Sequence, residues 1–315
     1  MNATYNFKLI SIIAVMGIST SCSDSSSPVT APEPRDPRSI PDLVDQWAVG
    51  GEVITTDNDG LVYVLPDYSE DGAIEVYSQN GEVFENWVPE LPNEVFWAKY
   101  IKFSQGQFVI RACGFPKPAR ITLFGRNREY KIDYFEVIND CTRISGADLL
   151  TVGPDGSIYT MEYNEETVYK YNSRGTLLAQ WSTVGSDTSG KHWPGGIAVT
   201  RSNKVFISDT THNIILIFSD DGELLAELGA LGQELGQFFG PTGLAVDGDD
   251  IIYVADSGNL RIQKISSSGD FLGEFPAGEV GHEPSQIAVS GPEIFVSLAS
   301  FGRGNGKVLH YSYDE

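Results

Sequence analysis

The sequence predicts an all-β fold: a six-bladed β-propeller of four-stranded antiparallel blades, the last blade closed by the N-terminal strand. Three observations predict it. A pattern recurs with a period of about 45 residues. Short alternating apolar runs are separated by Asp-Gly and Ser-Gly turns. A strand-like segment, Leu43 to Ala48, stands ahead of the first repeat with no repeat of its own.

The repeat is clearest in segments that begin at Gly146, Pro194, Pro241 and Pro284, where Leu149, Ile197, Leu244 and Ile287 correspond. A period in the forties that holds four short strands is the signature of a propeller blade. Within each copy a first apolar strand leads to a polar turn such as Pro154-Asp155-Gly156. A second strand follows, as in Lys204–Ser208 or Ile251–Ala255, then a loop, a third strand such as Ile214–Phe218, another Gly turn and a fourth strand such as Glu223–Leu228. Glycine after Asp or Ser supplies the positive φ of a tight hairpin. Two divergent copies precede these, over 51–87 and 93–140, which makes six. The last copy ends with three strands, while Leu43–Ala48 resembles the fourth strand Leu177–Trp181; it is therefore expected to complete the last blade and remove an open edge. The 33 glycines and 16 prolines are spread along the chain, as many short strands with tight turns require.

Composition excludes some partners. With 43 acidic and 21 basic residues the formal charge is −22. Such a field repels polyanions, so nucleic acid and bare anionic membrane surfaces are excluded. Residues 1–21 carry one charge, Lys8, ahead of the apolar run Leu9 to Ile18. That run is too short to span a bilayer and has the length of a signal-peptide core. Cys22 after Ser19-Thr20-Ser21 resembles a bacterial lipobox, with Ser19 in place of the usual leucine. Residues 22–40 then read as a lipid-anchor cysteine and a flexible Ser/Pro/Asp tether, and 41–315 as the propeller. The expected location is the cell envelope, lipid-anchored at the outer membrane if the cell is Gram-negative and otherwise periplasmic or secreted, with membrane contact through the anchor only. Export places Cys113 and Cys141 in an oxidising space, where a disulfide and two buried thiols are both open.

The segment "GPTGLAVDGDDIIYVADSGNLRIQKISSSGDFLGEF" resembles the NHL repeat in its Pro-x-Gly-hydrophobic-Ala-Val-Asp start and its Val-Ala-Asp-x-x-Asn-x-Arg-Ile-Gln centre. The resemblance is close over 192–276 and fainter on either side. It implies a propeller nearly free of helix. In NHL lyases that act on peptidyl-hydroxyglycine, zinc is held by histidines directly after the proline that opens a blade; Gly195, Thr242 and Ser285 stand there in this chain, so that activity is not expected.

Propellers usually bind ligands on the face formed by the loops into each first strand and between second and third strands. His192, Trp193, Asp209, His212, Asp256 and His282 all fall in those loops and form the candidate ligand-binding face. Asp209 and Asp256 occupy the aspartate position of the repeat, where bonding to loop backbone is the expected role. His192 and His212 belong to different loop sets and are expected as rim residues rather than as metal ligands. Asp57-Asn58-Asp59-Gly60 and Asp247–Asp250 place oxygens at alternate positions but lack the distal glutamate of a calcium loop, so hairpin turns are expected. No nucleophile elbow, phosphate loop, CxxC pair or HExxH helix is present. The sequence thus predicts a monomeric binding module for a protein, peptide or glycan, without a catalytic set or a required cofactor. The alternative is a lyase or hydrolase of lactonase type at the channel mouth, using a divalent cation.

Overall fold

The computed structural model describes residues 36–49, 51–66, 73–89, 97–114, 117–128, 130–136, 149–161, 166–185, 191–300 and 306–313. The signal segment, Cys22 with the tether up to residue 35, Cys141 and the Cys113 side chain lie outside the described residues, and the lipidation and disulfide expectations lie there with them.

Strands β1 to β24 form six antiparallel sheets of four. After β1 (Asp42–Val49), blade 1 comprises β2 (Gly51–Thr56), β3 (Val62–Pro66), β4 (Ile74–Tyr77) and β5 (Val83–Trp87). Blade 2 comprises β6 (Trp97–Ser104), β7 (Gln107–Gly114), β8 (Lys117–Gly125) and β9 (Tyr130–Glu136). Blade 3 comprises β10 (Leu149–Val152), β11 (Ile158–Met161), β12 (Thr167–Tyr171) and β13 (Leu177–Ser182). Blade 4 comprises β14 (Pro194–Val199), β15 (Val205–Asp209), β16 (Ile214–Phe218) and β17 (Leu224–Leu228). Blade 5 comprises β18 (Pro241–Val246), β19 (Ile251–Asp256), β20 (Arg261–Ser266) and β21 (Phe271–Pro276), with a single 3₁₀ turn at Ser257–Asn259. Blade 6 is β22 (His282–Ser290), β23 (Glu293–Ser300) and β24 (Gly306–Ser312), and its fourth strand is β1. Trp47 pairs with Val308 and Asp42 with Ser312, so the expected closure is present.

Each blade is a twisted sheet covered by a neighbour on both sides. Its second and third strands are therefore largely buried, as β15 and β19 show along their whole length. The fourth strands β5 and β17, at the circumference, are exposed or half-buried along their length. Apolar clusters join every adjacent pair of blades: Tyr100, Trp181 and Phe218 belong to one that runs through blades 2 to 4, and Tyr77 with Phe295 to one that bridges blades 1 and 6.

The Pro-x-Gly start has a packing cause. The first strands converge on the axis, and their backbones touch. A Cβ on Gly196 would lie 2.6 Å from Leu244 N, and one on Gly243 would lie 2.3 Å from the Ser285 carbonyl oxygen. No side chain fits between the blades at that height.

The two acidic runs are turns, as expected. Asp57 Oδ1 accepts from the Asp59 and Leu61 amides at 2.9 and 3.0 Å, and its Oδ2 accepts from the Tyr63 hydroxyl at 2.8 Å. Asp247 repeats this with Asp249 N, Ile251 N and the Tyr253 hydroxyl at 2.9, 2.9 and 3.0 Å. The aspartate thus closes its own hairpin and holds the tyrosine of the second strand.

Buried tyrosines give the fold an alkaline limit. Burial pushes the Tyr100 and Tyr311 hydroxyls up to about 12 from the ordinary 10.0. Burial first, and then a hydrogen-bonded carboxylate, raises Tyr63, Tyr77 and Tyr159 as well. A hydroxyl whose folded pKa is raised stabilises the fold fully below its unfolded pKa, and that stabilisation is lost as pH rises through the folded value. Their contribution to the unfolding free energy should therefore be level below pH 10 and fall between pH 10 and 12, by up to about 2 kcal/mol for each such tyrosine. Tyrosinate absorbance and far-UV circular dichroism, followed together, should change in one transition; free titration of all tyrosines with the fold intact would contradict it.

Candidate functional site

All first strands start at the same face, here termed upper, which also carries the loops that join second to third strands. The hairpin turns built on Asp57 and Asp247 lie on the opposite, lower face. Each blade with the repeat aspartate pairs it with the proline that opens the blade: Pro194 faces Asp209 and Pro241 faces Asp256. In blade 6 Leu298 faces Pro284, so the aspartate is absent there.

In blade 5, Asp256 is fully buried. Its Oδ1 accepts from the Phe239 amide at 2.7 Å. Its Oδ2 accepts from Asn259 Nδ2, Arg261 Nε and Gln263 Nε2 at 2.9, 2.8 and 3.0 Å. The same guanidinium donates to the carbonyls of Gln233, Glu234 and Gln237 at 2.7, 3.0 and 2.9 Å, and to Glu274 at 2.6 Å. Asp256, Asn259, Arg261 and Gln263 are the polar residues of one repeat, and they tie the 230–240 loop to the blade. Residues 238–265 match the NHL repeat model. Asp256 is therefore a structural residue of the NHL repeat, in line with the role expected of it, and does not present itself to a ligand.

Blade 4 departs from the NHL repeat at the same place. Asp209 is buried, 1% exposed, and its Oδ1 accepts from the Thr211 and His212 amides at 3.0 and 3.1 Å. Its Oδ2 faces Nδ1 of both His192 and His212; the His212 contact is 2.8 Å. The two imidazoles stack with centroids 4.2 Å apart and planes 28° from parallel. One ligand atom from each of the three residues lies within 4.8 Å of the others. The loops that the sequence separates are brought together because β14 and β15 are hydrogen-bonded at this end. Thr210 N donates to the Trp193 carbonyl at 2.9 Å, and the His192 amide donates to Glu166 Oε1 of blade 3 at 2.8 Å. These bonds turn the His192 side chain inward. The expectation of His192 as an exposed rim residue is thus corrected: it is 2% exposed, and Asp209 covers it.

The other predicted positions lie apart from this cluster. His282 starts β22, with its Nδ1 3.6 Å from Glu279 Oε1. Lys307, hydrogen-bonded to Glu279, holds that carboxyl below the usual range. Trp193 is 43% exposed on the upper face. His310, read as a strand residue, stacks on Phe295 and contacts Glu293. Phe239 precedes a blade-opening proline and falls on the upper face as its place in the repeat implies, but sequence reasoning missed the other apolar side chains that share this face with Trp193: Leu231 and Leu235 from the loop into β18, and Val280 from the loop into β22, which is 95% exposed. It also missed an open cleft of about 480 Å³ beside them, lined by Gln233, Asn259, Arg261 and Glu274 among others. Spacing alone could have flagged the loop into β18, which is long and holds Leu231, Leu235, Phe238 and Phe239 between glycines.

Solved structures with the same fold include virginiamycin B lyase from Staphylococcus aureus bound to quinupristin, at 17% identity and TM-score 0.56 over 85% of this chain and 87% of that one. The PQQ-bound aldose sugar dehydrogenase of Streptomyces coelicolor is similar at 11% identity and TM-score 0.57 over 86% and 96%. A luciferin-regenerating enzyme is similar at 15% identity and TM-score 0.55 over 84% and 92%. At these identities the likeness shows the fold alone. Comparison with curated protein sequences finds no match.

Proposed function

We propose that this chain is an exported, membrane-tethered binding module whose upper face holds a protein or peptide through blades 4 to 6. The observation that carries this reading is the group of exposed apolar side chains Trp193, Leu231, Leu235, Phe239 and Val280, all in loops of one face. Aromatic and aliphatic side chains clustered beside a polar cleft are the make-up of a partner-binding surface. The remaining large exposed apolar residues, such as Val83, Phe84, Leu178 and Leu225, sit on fourth strands around the circumference. Topology supports the tether. Strand β1 is entered from its lower end, since Asp42 pairs with Ser312, and Lys264 Nζ holds the preceding segment by the Pro37 carbonyl at 2.7 Å. A metal-assisted lyase or hydrolase on the same face is the second reading, and it draws on the His192–Asp209–His212 cluster.

A photoreactive residue placed at 193 or 239, and as a control at 84, tests the binding reading in the native cell. Positions 193 and 239 should give the same discrete protein adduct, and Leu231→Asp should weaken it several-fold. Equal labelling from position 84, or no adduct from the upper face, would overturn it.

A further inference from the structure

We propose that His192, Asp209 and His212 form a mononuclear site for a first-row transition-metal ion of the zinc class. The inference stands apart from the partner-binding reading and concerns metal binding alone.

Blades 4 and 5 place the same buried carboxylate at the same register, opposite the opening proline. Blade 5 neutralises it with Arg261 and completes it with Asn259 and Gln263. At the aligned positions blade 4 has Ile214 for Arg261, His212 for Asn259 and Leu216 for Gln263. His192 stands where blade 5 has Phe239. The permanent cation is gone, and two imidazoles have arrived, one from each loop. A carboxylate this deeply buried is costly unless positive charge compensates it. A proton on one imidazole could supply that charge. Protons on both would set two like charges in rings stacked 4.2 Å apart. A divalent ion instead uses both imidazoles as neutral ligands and the carboxylate as the third, which accounts for both substitutions together.

The donor set and its surroundings fit that ion. Two nitrogens and one carboxylate oxygen select zinc, nickel, copper or iron over calcium or magnesium. Zinc takes nitrogen and oxygen ligands at about 2.0–2.2 Å in a tetrahedron, so its ligand atoms lie about 3.3 Å apart. The cluster reaches that spacing when the His212 contact opens from 2.8 Å by about half an ångström and the shorter His192 contact opens further. Asp209 is already oriented, because its Oδ1 is held by two backbone amides and Oδ2 faces the imidazoles. The Glu166 carboxylate fixes the backbone of His192 in the same way. Such outer partners are what position metal ligands. His212 keeps 14% of its side chain exposed, which gives an ion a path from the upper face. Three protein ligands leave a fourth position for water.

The full chain, free of any metal-affinity tag and stripped with chelator, should bind one Zn²⁺ by calorimetry. With Co²⁺ it should develop the intense visible bands of four-coordinate cobalt. His212→Asn and His192→Phe, which restore the residues of blade 5, should each weaken Zn²⁺ binding by about a hundredfold or more. The variant H212N/I214R/L216Q brings in the three side chains that hold the aspartate in blade 5; it should fold and show no cobalt bands. Parent binding no tighter than that of this triple variant, or a pale octahedral cobalt spectrum, would overturn the site. If the variants fail to fold, a parent chain that takes up no stoichiometric Zn²⁺ would overturn it equally. Loss of metal with the upper-face adduct intact would separate this inference from the binding reading.

Discussion

Replacing Arg261 by alanine is expected to lower the unfolding free energy by about 3–5 kcal/mol, among the largest losses a single change in this chain should cause. Its guanidinium is the cation of a buried pair: Asp256 is 0% exposed and the Arg261 side chain 10%. Removing one member leaves a buried charge without its counter-charge, which costs far more than the net value of the intact pair. A second loss adds to the first. Arg261 also donates to the carbonyls of Gln233, Glu234 and Gln237, so truncation orphans acceptors across the 230–240 loop. Arg261→Lys keeps the charge but cannot present five donors in a planar fork, so it should lose the loop contacts and retain part of the pairing. The expected order in urea is parent above Lys above Ala, and limited proteolysis should open the 230–240 loop in both variants. An Arg261→Ala chain within 1 kcal/mol of the parent would overturn Arg261 as the counter-charge of the buried Asp256.

That network also explains what could be read from the chain and what could not. Pro194, Pro241 and Pro284 recur with the period; Pro194 and Pro241 open their blades, Pro284 lies near the start of β22, and in blades 4 and 5 the first strand passes the axis with its backbone bare of side chains at Gly196 and Gly243. Such a constraint is written into residue type, so the repeats were legible. The two calcium-like runs were legible as turns for a similar reason: Asp57 and Asp247 bond to amides two and four residues on, a wholly local geometry. His192 and His212 both lie in upper-face loops, and it is His192 whose environment differs from the expected rim. Periodicity fixes the height of a residue in a blade, but the direction of a loop side chain depends on bonds from elsewhere. Here they come from Glu166 in the preceding blade and from Asp209 across the strand pair. The clue that did lie in the sequence was comparative. Ile214 and Leu216 stand where Arg261 and Gln263 stand one repeat later, so the aspartate of blade 4 had lost its usual partners. The apolar upper loop around Leu231 and Leu235 lies between repeats, where no period reports on it.

Closure of the ring yields the other large effect. Trp47 of β1 lies against the turn of the next blade: a Cβ on Gly81 would fall 2.6 Å from the Trp47 ring. Trp181 does the same one half-ring away, where a Cβ on Gly222 would fall 2.5 Å from its side chain. The Trp47 indole also meets the rings of Tyr77, Phe295 and His310 at 6.2, 6.2 and 6.5 Å. A residue at the start of the propeller thus packs as an ordinary fourth-strand tryptophan between the last blade and the first. If β1 is as firmly part of blade 6 as β13 is of blade 3, Trp47→Ala and Trp181→Ala should cost about the same, 3–5 kcal/mol each. Trp47→Phe should cost clearly less, since most of the aromatic contact survives. The sum of losses should not be the whole effect at position 47. Weakened pairing of β1 uncovers the β24 edge and its row of unpaired backbone groups. Trp47→Ala should therefore also self-associate on heating, in proportion to protein concentration, while Trp181→Ala, whose strand is tied to β12 by a short turn, should not. Unfolding in urea followed by sedimentation at two concentrations measures both. A cost below 1 kcal/mol for Trp47→Ala beside a full cost for Trp181→Ala would show that the ring stands without its borrowed strand, and the closure drawn from Leu43–Ala48 would fail.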